Sequence, residues 1–514
     1  MSTTRTEGVW LDEIRLLITR GQSAAAQALL ARALAEYPSS RELRRAQAGA
    51  LQQAGFSGEA ESVLRTLLEA NTGDASASFA LARSLGSRGH ASAAAAVVRK
   101  CFTSHANLRD AGLAIAAIEL LDGFDCKRDA ADIAEAAIVA NPDDARLHAY
   151  AGMLQIQLGE FKQARRHYLF ALERDGRAWE WHVPIGLSSA QRYHDDTHAD
   201  FALFQQGLHR EALSDKARAE THFALGKAHD DIGGYDEAAR HFREGNAIAH
   251  RLTKWSRKAW RRTVEARLAS KPFTCSNLAT EGFTPIFIVG MPRSGTTLLA
   301  ELMSRRPNVC NRGELPWLAR LAGEPGLAGN PNRAELQRAA TRYVAQARRD
   351  DSGDARWFID KQPLNFRYVD LALALFPDAR IVLCQRSPRD TALSLWMQCF
   401  LEDVQGYAYD FGDIALVMHD CERLMAHWRR RFPASIRNIR YEELVSKSGP
   451  AVEELAGWMG LPTADPAIIP HPIPTSAIST ASLWQARQPV NARSIGRWQH
   501  YASCIPELMK LPIS

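Results

Sequence analysis

The sequence predicts an all-α solenoid of helical repeats followed by an α/β domain built on a parallel sheet. Three observations carry that expectation. Gly21, Gly55 and Gly89 stand 34 residues apart, each followed at fixed offsets by small and large apolar residues. From residue 285 the Ala- and Leu-rich texture gives way to short apolar runs alternating with helical stretches, the pattern of a parallel sheet with crossover helices. At that change Pro285-Ile286-Phe287-Ile288-Val289 reaches Gly290, then a polar turn through Gly295, then Thr296-Thr297-Leu298-Leu299, which reads as a buried strand, a tight loop and a helix.

Bulk properties bound the answer. A chain of 514 residues exceeds one ordinary core and implies two or three domains. With 46% hydrophobic and 24% charged residues it is a folded chain, not a disordered one. A formal charge of +5 is too dilute to argue for nucleic acid or an anionic membrane, and points to local basic pockets. The amino terminus lacks the apolar core of a signal peptide, and no stretch approaches the ~18 apolar residues of a membrane span. The eight cysteines fall singly, with no Cys-x-x-Cys and no Cys/His ligand spacing. A reduced, metal-free, cytoplasmic protein is expected.

The repeats occupy residues 7–250. Ala26, Leu30 and Ala33 follow the first glycine, Ala60, Leu64 and Leu67 the second, and Ala94, Val98 and Cys101 the third. A fourth unit has Ala130, Ala134 and Ala137 after a slightly displaced turn at Gly123-Phe124-Asp125-Cys126, and a fifth runs through Gly159, Ala164, Tyr168 and Ala171. Stacked helical hairpins need such a turn glycine and such packing positions, whereas an ordinary Ala-rich bundle would not hold one register three times running. The pattern resembles the tetratricopeptide repeat, which implies a concave face for a protein or peptide partner. The register fails after residue 176 and returns at Ala224-Leu225-Gly226 and Gly233-Gly234-Tyr235. His194, His198 and nearby aspartates could be metal ligands, although a solvated polar segment is the simpler reading. Residues 251–282, with Trp255 and Trp260, read as a helical linker, and 283–514 as the second domain.

The loop after Gly290 is suited to an anion. Backbone N–H groups at a helix start lack partners, the helix dipole adds positive potential, and Arg293 adds a full charge. The spacing Gly290-x-x-x-x-Gly295-Thr296-Thr297 is that of a nucleotide P-loop, with Thr296 where a Lys would reach the terminal phosphates. No strand-ending Asp stands out as a second magnesium holder. The loop therefore suits a donor with less terminal charge and no metal.

The run Pro292-Arg293-Ser294-Gly295-Thr296-Thr297-Leu298 resembles the phosphosulfate-binding loop of sulfotransferases, which use 3′-phosphoadenosine 5′-phosphosulfate (PAPS). The resemblance implies that these residues hold the donor. Arg386 ends the candidate strand from Ile381, and Ser394 lies eight residues on, in a helix expected from Thr391 to Phe400; the pair resembles the motif that grips the 3′-phosphate. Alone, Arg386 reads as a surface ion-pair residue. Glu314, in Asn311-Arg312-Gly313-Glu314, resembles the catalytic glutamate of tyrosylprotein sulfotransferases. Cytosolic sulfotransferases use a His instead, and no His lies from 275 to 418. Lys361 resembles the lysine that contacts the sulfonate and the bridging oxygen, and Tyr441 a strand-end tyrosine near the nucleotide. Ser482 and Arg497 fall where that family has a nucleotide-contacting Ser and a Lys. The bland alternatives are a solvated carboxylate, a surface Lys and an exposed basic tail.

The expected function is transfer of a sulfonate from PAPS to an acceptor hydroxyl, with Glu314 as base and Lys361 and Arg293 stabilising charge. Protein tyrosine, sugar, lipid and small-molecule hydroxyls all stay open as acceptors. The rivals are a P-loop kinase or nucleotidase, and a repeat scaffold carrying a nucleotide-binding remnant.

Overall fold

The structure, a computed structural model, describes residues 5–271, 273, 280–327, 329, 331–350, 352–400, 403–462 and 491–512. The chain divides into two compact units, Met1–Leu154 with Arg349–Asp351, and Gln155–Arg348 with Ser352–Ser514.

The first unit consists of paired antiparallel helices: Glu7–Thr19 with Ser23–Glu36, Arg41–Gln53 with Ser57–Ala70, Ala75–Ser87 with Ala91–Cys101, and Ala111–Gly123 with Lys127–Ala140. Three of the leading helices start at a polar cap. The side chains of Ser40, Asp74 and Asp110 accept from the backbone N–H three residues on, at 3.1, 3.0 and 3.0 Å, and so satisfy a helix-end donor. Between the helices of a pair the chain turns through a left-handed residue. Gly21, Gly55 and Gly89 have φ of 70°, 86° and 84°, but in the fourth pair Asp125 takes that role at φ 63°. A short helix, His105–Arg109, precedes that pair, which is why its turn falls out of step with the 34-residue spacing. Ala26, Leu30, Ala33, Ala60, Leu64, Ala94, Val98, Cys101, Ala130, Ala134 and Ala137 are all buried, as the period requires.

In the second unit, Phe161–Arg174 is followed by a 3₁₀ turn, Gly176–Glu180, and two short helices, Val183–Ser189 and Ala199–Leu208. The register fails here for a steric reason. Trp179 lies on Gly207, where a Cβ would come within 2.1 Å of the indole, so a bulky side chain sits where a regular repeat has small ones. His198 and Asp200 have structural partners: the His198 ring accepts from the Asp200 N–H, and the Asp200 carboxylate binds Arg165 at 2.6 and 2.7 Å and the Tyr193 hydroxyl at 2.7 Å. A long hairpin then follows, Asp215–Asp231 with Tyr235–Leu252, and a further helix, Arg257–Leu268. Both join the core of this unit. The Asn246 amide donates to the Trp396 carbonyl at 2.8 Å, and the Trp260 indole to Asp420 at 2.9 Å.

Five strands complete the unit: β1 (Thr284–Gly290), β2 (Val309–Asn311), β3 (Trp357–Asp360), β4 (Arg380–Gln385) and β5 (Ile436–Arg440). Their order is β2-β3-β1-β4-β5 and every pairing is parallel. Ile286, Phe287, Ile288 and Val289 are buried, which explains the unbroken apolar run of β1. The helix after β4 runs Pro388–Trp396, starting and ending earlier than the sequence suggests, because Pro388 fits the first helical turn. The chain is thus an all-α helical-repeat solenoid followed by a P-loop-type α/β domain. In an open parallel sheet of this order, ligands bind beyond the carboxyl ends of the strands, where the order reverses at β1. Among the described residues no helix is long and apolar enough to cross a membrane.

Candidate functional site

Each strand delivers a candidate residue at its carboxyl end. β1 ends at Gly290 and opens the loop 291–295, β3 is followed by Lys361, β4 by Arg386 and β5 by Tyr441. β2 is prolonged as Arg312-Gly313. The Arg312 N–H donates to Ile359 at 2.9 Å and the Lys361 N–H donates to Gly313 at 2.7 Å, which sets Glu314 beside Lys361. The Lys361 Nζ meets the Glu314 carboxylate at 2.5 Å, with Lys361 buried and Glu314 about one-third exposed.

The loop is shaped by glycines that no larger residue could replace. Gly290 has φ 140°, and a Cβ there would lie 2.4 Å from the Cys384 carbonyl; Gly295 has φ 99°, and its Cβ would lie 2.5 Å from the Tyr441 ring. Arg293 itself is left-handed at φ 71°, a strained state for a residue with a side chain, and such strain gathers at ligand sites. Pro292 and Ser294 are buried in the loop; Thr296 and Thr297 are the first residues of the helix Thr296–Met303.

The cations converge on this loop. The Arg293 Nε donates to the Ser394 hydroxyl at 3.0 Å, and an Arg386 N–H donates to the Arg293 carbonyl at 3.0 Å. The Arg386 guanidinium lies 4.8 Å from the centre of the Tyr441 ring. Burial, then the charges of Arg386 and Arg497, bring Arg293 down to about 10. Burial also lowers Arg386, with Asp390 opposing and Arg497 adding to the effect. Arg497 goes the other way. Burial works against its charge, but Asp230, which its guanidinium contacts, raises it overall. Neighbouring guanidinium groups that lower one another in this way favour an anion beside them.

The residues fit an anionic, phosphate-bearing ligand. The Ser294 hydroxyl and the Arg386 Nε are buried without a hydrogen-bond partner, both in this loop cluster. Two glycines let the loop pack closely on Cys384 and Tyr441, and three guanidinium groups supply charge. Ser482 lies outside the described residues.

One expectation is corrected. β3 does end in an aspartate, Asp360, next to Lys361. It escapes notice in the sequence because the strand is only four residues long. Its carboxylate accepts from the Tyr343 hydroxyl at 2.7 Å, the Asn365 amide at 3.2 Å, and the N–H groups of Gln362 and Leu315 at 3.2 and 3.4 Å. Burial nonetheless pushes it up to about 7, and the Glu314 charge adds to that. An aspartate raised on folding favours the native state while protonated, so its contribution fades as pH rises from about 4 through about 7. Denaturant midpoints should fall over that window, and Asp360→Asn should flatten the fall; an equal slope in both proteins would contradict the assignment.

Other participants carry no local signal. Asp390 accepts from the Gly496 and Trp498 N–H groups at 2.8 and 3.0 Å, and Arg386 donates to the Ser494 carbonyl at 2.5 Å. The segment 494–498 is thereby held against the helix Pro388–Trp396. Asp390 lies in the first turn of that helix, where negative charge is favoured. Among the described residues one group has metal-ligand geometry, His229, Glu237 and His241. It lies on the hairpin Asp215–Asp231 and Tyr235–Leu252, and Arg240 already engages both Glu237, at 2.5 Å, and the His241 ring, at 3.0 Å.

A parallel sheet with a glycine-rich loop at its central strand defines a P-loop-type domain. Residues 285–465, in the carboxy-terminal half, match the family model described as "Sulfotransferase family". Among curated relatives, an uncharacterized protein of Aquifex aeolicus (strain VF5) is 26% identical over 328 residues, covering 59% of this chain and 42% of that one. The nodulation protein NoeE of Sinorhizobium fredii is 27% identical over 216 residues, covering 35% and 50%. The chain thus spans half or less of the length of these relatives. Of solved structures, sulfotransferase STF9 from Mycobacterium avium aligns at 14% identity and TM-score 0.26, covering 62% of this chain and 96% of that one. A tetratricopeptide repeat protein from Parabacteroides merdae aligns at 12% and 0.28, covering 50% and 96%.

Proposed function

We propose that this protein transfers a sulfonate group from PAPS to an acceptor hydroxyl. The observation that supports the reading best is the cluster of Arg293, Arg386 and Arg497 around a P-loop whose Walker lysine is replaced by Thr296. When bound, the donor supplies the sulfonate and departs as adenosine 3′,5′-bisphosphate. The loop residues Pro292 to Thr297 hold the 5′ side, Arg386 and Ser394 hold the 3′-phosphate, and Tyr441 and Arg497 flank the nucleotide; for Ser482 a donor contact is implied by the family resemblance alone.

Glu314 takes the proton of the acceptor hydroxyl while its oxygen bonds to sulfur. The bond between sulfur and the bridging oxygen breaks, and its electron pair stays on the leaving phosphate. Lys361 and Arg293 stabilise the charge that grows there, since fixed donors aimed at developing charge act most strongly where water is excluded. Lys361, buried and within 2.5 Å of Glu314, links the two ends of this transfer. The resemblance to tyrosylprotein sulfotransferases makes a protein tyrosine the first acceptor to test, with the helical repeats as the surface that would hold its polypeptide. No metal enters the scheme. The described cysteines are free thiols, which suits a reducing, cytoplasmic setting.

Titration calorimetry with adenosine 3′,5′-bisphosphate in chelator tests the reading. Binding without magnesium is expected. Lack of binding defeats it, and magnesium-dependent consumption of ATP would assign a kinase instead.

A further inference from the structure

Arg497 and Asp230 are separated by 267 residues, yet they form an ion pair at the edge of the arginine cluster. Asp230 belongs to the helix Asp215–Asp231 of the last repeat hairpin, and its side chain is nearly buried. One carboxylate oxygen takes the Arg497 guanidinium; the other accepts from the Tyr501 hydroxyl at 2.6 Å. Around this point the same hairpin grips the carboxy-terminal segment repeatedly. Tyr235 stacks on His500 at 4.9 Å, and Arg243 pairs with Glu507 at 2.7 Å. On its other side the segment is held by Arg386, through the Ser494 carbonyl, and by Asp390, through Gly496 and Trp498.

We propose that Asp230 is a positioning residue for the donor site, by which the last helical hairpin fixes Arg497 and the 494–501 segment against Arg386. The proposal rests on the sulfonate-donor reading for its ligand. Its physical content is a division of labour among three like charges. Arg293 and Arg386 are held close together, and each is lowered by burial and by neighbouring cations. A third arginine would be repelled from such a pair unless a fixed anion stood behind it, and Asp230 is that anion. With one oxygen on Arg497 and one on Tyr501, it fixes direction as well as charge, which a lone surface ion pair does not. The repeats therefore contribute a residue to the competence of the transferase site, beyond any partner they carry.

The test uses the full chain and adenosine 3′,5′-bisphosphate, with Asp230→Asn, Arg497→Gln, the double variant and Tyr501→Phe. Asp230→Asn and Arg497→Gln should each weaken binding by about tenfold, the double variant no more than the weaker single, and Tyr501→Phe by about two- to threefold. Asp230→Glu should recover part of the loss. Hydrogen exchange of the 494–501 amides should accelerate in Asp230→Asn, with exchange in the helices of residues 7–140 unchanged. Losses that multiply in the double variant, or wild-type binding by Asp230→Asn, would overturn the proposal. If the wild-type chain binds no bisphosphate, the donor reading fails, and the exchange measurement still decides whether Asp230 anchors the segment: unchanged exchange would sink it. Should Asp230→Asn fail to fold, Tyr501→Phe carries both readouts, and wild-type behaviour in both would overturn the proposal.

Discussion

Glu314→Gln is expected to cut turnover by ~10²–10⁴, the usual range for removal of a general base, while adenosine 3′,5′-bisphosphate binding stays near wild type. The amide keeps the size of the side chain and can still accept from Lys361, but it cannot take a proton from an acceptor hydroxyl. In the structure the Lys361 ammonium touches Glu314, so the two groups form one unit. Lys361→Met should therefore lower turnover too, and the double variant should lose far less than the product of the two single losses, because the partners of one mechanism are not additive. Single-turnover assays with labelled PAPS and a tyrosine-containing peptide would measure this. Glu314→Gln retaining most of its rate would remove Glu314 from the chemistry, while the anion site would be untouched.

The second large effect is expected at Arg386. Arg386→Ala should weaken bisphosphate binding by about 2–5 kcal/mol, the cost of truncating one partner of a buried charge-assisted contact. Arg386 does three things at once. It donates to the Arg293 carbonyl, donates to the Ser494 carbonyl, and stacks near the Tyr441 ring, which itself covers Gly295. Arg386→Lys keeps the charge but not the planar fork, so it should recover only part of the affinity. Calorimetry at two salt concentrations separates the contributions: the alanine variant should show a shallower salt dependence, the lysine variant a slope close to wild type. Equal affinities for wild type and Arg386→Ala would place the 3′-phosphate elsewhere.

Much of this site can be read along the chain because its parts are local. The loop from Gly290 to Thr297 is one continuous segment whose glycines are needed for backbone reasons, and the structure puts both in conformations that exclude a Cβ. Arg386 and Ser394 are eight residues apart across a strand end and a helix, a separation that short-range rules can handle. The repeat period was legible for the same reason, and it blurred only where Asp125 replaces a turn glycine and where Trp179 displaces the small-residue packing near Gly207. Asp360 was hidden in a strand of four residues, too short for alternation to mark it.

By itself the amino-acid sequence determined the local chemistry: which segments coil into hairpins, where the apolar strand meets its glycine loop, and which side chains could carry charge to an anion. The tertiary structure alone decided the partners. Glu314 meets Lys361 only because β2 and β3 pair, and Arg497 meets Asp230 only because a helix far upstream packs beside the carboxy-terminal segment. The reason is physical. Backbone conformation and periodicity depend on neighbours within a few residues, whereas the pairing of buried charges depends on which surfaces the whole chain brings together.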